Sequence, residues 1–291
     1  MMKIDKKKSL AVVSITYLLA LGVAAITVFI LGESYSPLLK GAVADIVATV
    51  FVYFSSLIFR NSSMYDPYWS VAPPVLAIYW INAYDKWNVP QILMLATITF
   101  WAVRLTLNWI KGWQGMSHED WRYVMLKKKT QKFYQIVNFT GIHLFPTVMV
   151  FLGMLPVYYF IKEAVDVNLV TIAGMIISLT GTAFEYFADE QLRQFKKQST
   201  DNSAITHGLW KYSRHPNYFG EILFWLGLWI MAMSANQNLW PLAVGCIAMY
   251  LMFEYISIPM MEKRNLENKT NYASYRQHTS RLIPWIPQRE R

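Results

Sequence analysis

Residues 9–31 read SLAVVSITYLLALGVAAITVFIL, a run without one charged side chain. A helix needs roughly 20 apolar residues to cross the hydrocarbon of a bilayer, and this run supplies them. The basic segment Met1–Lys8 before it resembles the start of a signal peptide. The run is too long for the apolar core of such a peptide, however, and no small-x-small cleavage site follows closely. The sequence therefore predicts a retained first span.

Comparable runs recur at about 40–59, 69–84, 91–110, 136–161, 168–187, 218–234 and 239–260. Together they predict an all-α fold, a polytopic transmembrane helical bundle forming a single membrane domain over 1–291, with eight spans. The third is short and contains Pro73-Pro74, so a kinked or incomplete helix is expected there, and seven spans is the alternative. Composition agrees: 55% of residues are hydrophobic and only 15% charged, against about 25% in soluble domains. The single cysteine, Cys246, lies in an apolar run and offers neither an internal disulfide nor a metal cluster.

The formal charge of +9 is unevenly placed. With the N-terminus inside, the cytoplasmic segments and tail collect nearly all Lys and Arg, from Lys3 to Arg289 and Arg291. The outer loops hold only Lys40, Lys86 and Lys162. That is the asymmetry of positive-inside sorting, so both termini are expected in the cytoplasm of an integral protein of the bacterial inner membrane. The basic charge is read as meeting anionic lipid, with no nucleic-acid partner, and the protein is expected to be a monomer.

The richest stretch is 206–221, THGLWKYSRHPNYFGE. Pro216 suits the first turn of a helix, and Arg214 and His215 stand just before it. A helix start with free N–H groups, a dipole and a cation makes an anion site. Asn217 and Glu221 are four apart and share a helical face, and Gly220 permits close approach of a helix or ligand. In 185–197, EYFADEQLRQFKK, the spacing of Glu185, Asp189 and Arg193, followed by Lys196, draws one face from acidic to basic. The same pattern is expected of a salt-bridged helix exit. The tail, MEKRNLENKTNYASYRQHTSRLIPWIP, interleaves aromatics with cations and is expected to fold back on the helix ends.

In the first half, Asp66 precedes a span among Tyr65, Tyr68 and Trp69. Such surroundings desolvate a carboxyl and favour its acid form; a cap before Pro67 is the plainer reading. His118-Glu119-Asp120 is a weak metal pattern, since adjacent residues do not converge on a helix, and no metal site is expected. No Walker loop, Gly-x-Gly-x-x-Gly turn or Ser-His-Asp signature is present.

The string GLWKYSRHPNYFGEILFWLG, the tail, ADEQLRQFK, YDPYWS and RLTLNW…HEDWRY together resemble the steroid 5-alpha-reductase superfamily. The likeness is closest to bacterial members with the C-terminal domain of unassigned function. It implies a membrane enzyme using NADPH, with a cofactor-binding part at 185–291. Carried over, it points to Asp189, Arg193, Asn217 and Glu221, with Lys196, Arg214, His215, Tyr218, Lys263 and Arg264 as further cofactor-binding positions. It implies an apolar lipid or steroid-like enone as substrate, with Asp66 or Tyr68 as general acid. The family's membrane-embedded Glu corresponds here to Asp66, and its Tyr falls near Trp101. A methyltransferase branch of the same superfamily, using S-adenosylmethionine, shares the Arg-His-Pro motif. A non-catalytic lipid-binding protein is the third reading.

Overall fold

The computed structural model describes residues 5–163, 166–199 and 201–287; Lys3, Arg289 and Arg291 of the charge pattern lie outside them. Among the described residues the secondary structure is helical, and the protein is a helical membrane bundle. Among the described residues, six helical stretches are long and apolar enough to cross a membrane: Lys6–Leu31, Pro37–Phe59, Val89–Gly112, Trp121–Lys162, Leu169–Gln198 and Gln237–Asn268. Large apolar side chains point outward from them, Phe29 being 86% and Ile58 75% exposed; such surfaces require lipid rather than water.

The chain divides into two compact units, 1–162 and 163–291. The first contains α1 (Lys6–Leu31), α2 (Pro37–Phe59), α3 (Tyr68–Tyr84), α4 (Val89–Gly112), α5 (Trp121–Thr130), α6 (Tyr134–Val137) and α7 (Phe145–Lys162). Local chemistry sets the ends. Ser36 accepts from the Leu39 N–H with Pro37 behind it, and Arg60 closes α2 in the left-handed conformation. α3 continues as helix through Pro73-Pro74. Its 17 residues span about 26 Å at 1.5 Å each. It is short because residues 61–67 fold back along α2 and are nearly all buried, with a 3₁₀ turn at Ser62–Tyr65.

The second unit contains α8 (Leu169–Gln198), α9 (Pro216–Met233), α10 (Val244–Met252), α11 (Ile258–Asn268) and α12 (Tyr272–His278). Asn168 and Thr171 form a capping box at the start of α8. α9 matches the expected span at 218–234, with Asn217 and Glu221 in its first turns. α8 and α9 touch backbone to backbone. A Cβ on Gly174 would lie 2.6 Å from the Gly227 carbonyl oxygen, and one on Gly220 would lie 2.5 Å from that of Gly181. Glycine spaced by seven on both helices makes this contact possible.

Two π-helical stretches, Asn138–Leu144 and Phe253–Ser257, each lie just before a proline, Pro146 and Pro259. Proline lacks an N–H and its ring crowds the preceding turn; a wider turn accommodates both effects.

Candidate functional site

In the first unit, α1, α2 and α3 line an apolar cavity of about 360 Å³ that opens at the surface between them. Room for it comes from small side chains, among them Ala20, Ala24, Gly41, Ala44, Ala48 and Ala72. One polar pair stands in its wall: the Tyr68 hydroxyl donates to Asp45 Oδ1 at 2.7 Å, and both residues are buried. Tyr68 packs edge-on against Tyr17 and beside Tyr65. The Tyr65 hydroxyl meets Thr147 Oγ1 at 2.7 Å, which lies 2.9 Å from Thr49 Oγ1. The polar groups below the cavity are thus mutually satisfied, as buried hydroxyls must be.

Asp66 belongs to a different cluster and does not line the cavity. Its carboxylate accepts a short hydrogen bond from the Tyr123 hydroxyl. Burial pushes the carboxyl up to about 7, opposed by the Arg122 charge and the hydrogen bonds from Tyr123 and Trp109. Around it the loop 113–120 is tied to the fold-back segment. Asn61 Nδ2 donates to the carbonyls of Met116 and His118, Glu119 Oε1 accepts from the Ser62 N–H, and the Asp120 N–H donates to Ser63 Oγ. His118-Glu119-Asp120 therefore holds a loop, and no metal-binding group of His, Cys, Asp and Glu is found among the described residues.

In the second unit the tail folds back on the helix ends, as the sequence led us to expect. The Arg214 guanidinium is fully engaged there. It contacts Glu262 at 2.7 and 2.8 Å and donates to the carbonyls of Arg276 at 2.8 Å and Thr279 at 2.6 Å. Its backbone N–H donates to the Ser280 carbonyl. Arg214 is thus a buried clamp on the tail, where the motif reading made it a phosphate ligand. His215 is held below its ordinary pKa, chiefly by burial, and is neutral at pH 7. Rather than a second cation it is a stacking surface: its ring lies 5.4 Å from Tyr218 at an interplanar angle of 6°, and Tyr218 stacks on Phe253.

Asn217 Nδ2 donates to Asp189 Oδ1 at 3.4 Å, joining α9 to the exit of α8. Glu221 is buried and accepts from Trp225 Nε1 at 2.9 Å. Arg193 pairs with Glu190. Lys196 is exposed and lies within electrostatic reach of Arg264, Lys269 and Asp189. Lys263 is exposed, while the neighbouring Arg264 is half-buried. Three cations gathered beside one carboxylate form a surface for an anion of high charge.

Residues 52–281 match the family described as "Protein of unknown function (DUF1295)". The chain belongs to the DUF1295 family. The protein C594.04c of Schizosaccharomyces pombe, titled uncharacterized, is 22% identical to this DUF1295 chain, covering 86% of it and 80% of the yeast protein. Steroid 5-alpha-reductase DET2 of Arabidopsis thaliana is 34% identical over 64 residues, only 22% of this chain and 24% of DET2. No solved structure matches the chain. The DUF1295 match spans the fold-back segment, Tyr68 and the Arg-His-Pro motif, and is consistent with a distant relationship to the steroid 5-alpha-reductases.

Sequence reasoning missed Asp45 and Lys269. Asp45 carried a signal, being the one charged residue in 41–59; an ionisable group inside an apolar span marks function by default. Lys269 carried none, because only the folded tail brings it towards Lys196.

Proposed function

We propose that this protein is a membrane-embedded reductase that uses NADPH to reduce the carbon–carbon double bond of an apolar lipid or steroid-like enone. The observation that carries the reading is the Asp45–Tyr68 pair in the wall of an apolar cavity. Membership in a family distantly related to steroid 5-alpha-reductases supports it.

The donor set of the second unit fits the cofactor. Lys196, Arg264 and Lys269 would neutralise its phosphates, with Asp189 fixing Asn217. Asn217 offers both a donor and an acceptor, the complement of a carboxamide. Glu221 accepts from Trp225 one turn along the same helix, and Tyr218 is held between His215 and Phe253 beside Asn217. When bound, NADPH supplies hydride to the β-carbon of the enone. Asp45 in its acid form, held by Tyr68, hydrogen-bonds the carbonyl oxygen and stabilises the enolate as it develops. The apolar walls around the pair lower the local dielectric, which strengthens the bond.

The test is NADPH consumption by detergent-purified protein supplied with a 3-oxo-4-ene steroid, the product being read by mass. Asp45→Asn and Tyr68→Phe should lower turnover by about 10²–10⁴-fold while NADPH affinity stays at the parent value. Binding of S-adenosylmethionine in place of NADPH would move the protein to the methyltransferase branch. Full turnover in both variants would remove the cavity from the chemistry.

A further inference from the structure

The three helices contribute differently to the cavity. Its four α2 residues, Gly41, Ala44, Asp45 and Ala48, are all buried and form its floor. Its exposed lining residues stand on the other two helices: Leu21, 45% exposed, with Ala25 on α1, and Ile78, 41% exposed, on α3. The mouth therefore runs between α1 and α3. Its depth decides what it faces. Leu21 lies ten positions before the end of α1 at Leu31, about 15 Å along the helix. Asp45 lies eight positions after the start of α2 at Pro37, about 12 Å along. The hydrocarbon is about 30 Å thick, and both helices are long and apolar enough to cross it. Mouth and polar pair thus sit within the hydrocarbon. Leu18 and Ile26, on either side of Leu21, are exposed to it as well.

Two features of the lining select an occupant. Among the described residues that line the cavity there is no Lys, Arg or His. An anionic head brought to this depth would stay uncompensated and would stand beside Asp45. The second feature is the mouth itself. The α1 lining extends from Tyr17 to Val28, eleven positions, about 16 Å, but a longer chain need not fit inside when one side opens to lipid. We propose that the cavity takes up, directly from the bilayer, a neutral long-chain lipid with one uncharged oxygen function. That oxygen is held by Asp45–Tyr68, and the surplus chain leaves between Leu21 and Ile78. This rests on reading the cavity as the substrate site. Leu21 and Ile78 are then specificity-determining residues that admit chains longer than the cavity.

The experiment measures equilibrium binding in phosphatidylcholine nanodiscs, each probe being dosed as a mole fraction of lipid. The probes are non-3-en-2-one, pentadec-3-en-2-one and henicos-3-en-2-one, the last longer than the cavity, with pentadec-1-ene-1-sulfonate as the permanently charged analogue. The parent should bind the three ketones within about threefold of one another, because lipid tails are as apolar as the cavity wall. It should bind the sulfonate about a hundredfold more weakly. Leu21→Trp and Ile78→Trp together narrow the mouth; they should lower affinity for the longest ketone by about tenfold or more and leave the shortest unchanged. Ala24→Phe fills the cavity from α1 and should remove binding of all three ketones; if it does not fold, Ala72→Phe does the same from α3. A parent that binds the shortest ketone and rejects the longest would refute the open mouth while the cavity reading survives. So would a double-tryptophan variant that binds the longest ketone like the parent. Equal affinity for sulfonate and ketone would refute the choice of a neutral lipid. If no ketone binds the parent, or the filled cavity still binds them, the cavity reading fails and the proposal with it.

Discussion

Gly181→Ala tests whether the α8–α9 contact sets the geometry of the second unit. A Cβ at this position would meet the Gly220 carbonyl oxygen, lie 2.7 Å from the Phe224 nitrogen and 3.0 Å from the Leu223 Cβ. Two of these three are backbone atoms of α9 and cannot rotate away. Restoring ordinary contact distances requires the helices to part by about 1 Å, which breaks the packing of a dense interior. Overpacking costs typically about 1–3 kcal/mol and occasionally more; with backbone on both sides, about 3 kcal/mol or above is expected. That corresponds to a loss of roughly 6–12 °C in melting temperature. The same displacement lengthens the Asn217–Asp189 bond, already at 3.4 Å, so NADPH affinity should fall with stability. The matched control is Gly22→Ala on α1, where an added Cβ meets nothing within 4 Å; it should be neutral or stabilising by about 0.4–1 kcal/mol. Both variants are read by fluorescence melts in one detergent. A Gly181→Ala protein that melts within a degree of the parent would refute the argument, because the helices would then not be held by backbone contact.

Four further outcomes are expected. Asp66 has its carboxyl raised by burial to about 7, so the folded state holds a proton that the unfolded chain has released. Stability should fall as pH rises from about 4 to 7 and level off above, and Asp66→Asn should remove that part of a melt series between pH 5 and 8. Arg214→Ala leaves the buried Glu262 carboxylate with only Arg276 at 3.6 Å and His215 at 3.5 Å, and should destabilise by about 3 kcal/mol. Lys196→Ala should leave the melt unchanged and weaken NADPH binding by about 1.5–3 kcal/mol; equal melts for these two variants would overturn the division between clamp and anion surface. Reporter fusions at both termini should respond as cytoplasmic, given the Lys and Arg asymmetry, and a C-terminus on the opposite side of the membrane would break the eight-span topology.

The helices were legible because each depends on local pattern. Apolar length set the spans, Ser36 and Asn168 marked two starts, and Pro216 began α9 where the motif placed it. Two expected spans, at 69–84 and 218–234, form helices outside the six that are long and apolar enough by composition. In α9 the cause is visible, since Asn217 and Glu221 dilute its apolar character. What pattern could not resolve was competition between partners. Arg214 and Arg193 both looked like phosphate ligands in one dimension. Glu262, 48 positions from Arg214, and Glu190, three from Arg193, engage them in the fold.

The position of Tyr68 turns on a register that hydropathy does not encode. In the sequence Tyr68 stands two positions after Asp66, at the start of a span, and the resemblance offered either as the acid. Residues 61–67 instead run back along α2, and the Tyr68 hydroxyl reaches Asp45. Asp45 lies fourteen positions before the end of α2 at Phe59, about 21 Å along the helix. That return is paid for by polar pairing: Asn61, Ser62 and Ser63 are buried, yet each is bonded to the loop 113–120 or to Tyr134. Irregular backbone at such depth is tolerated only where protein satisfies it. The loop carrying His118-Glu119-Asp120 thus pins the segment that leads into α3, at whose start the Tyr68 hydroxyl meets Asp45.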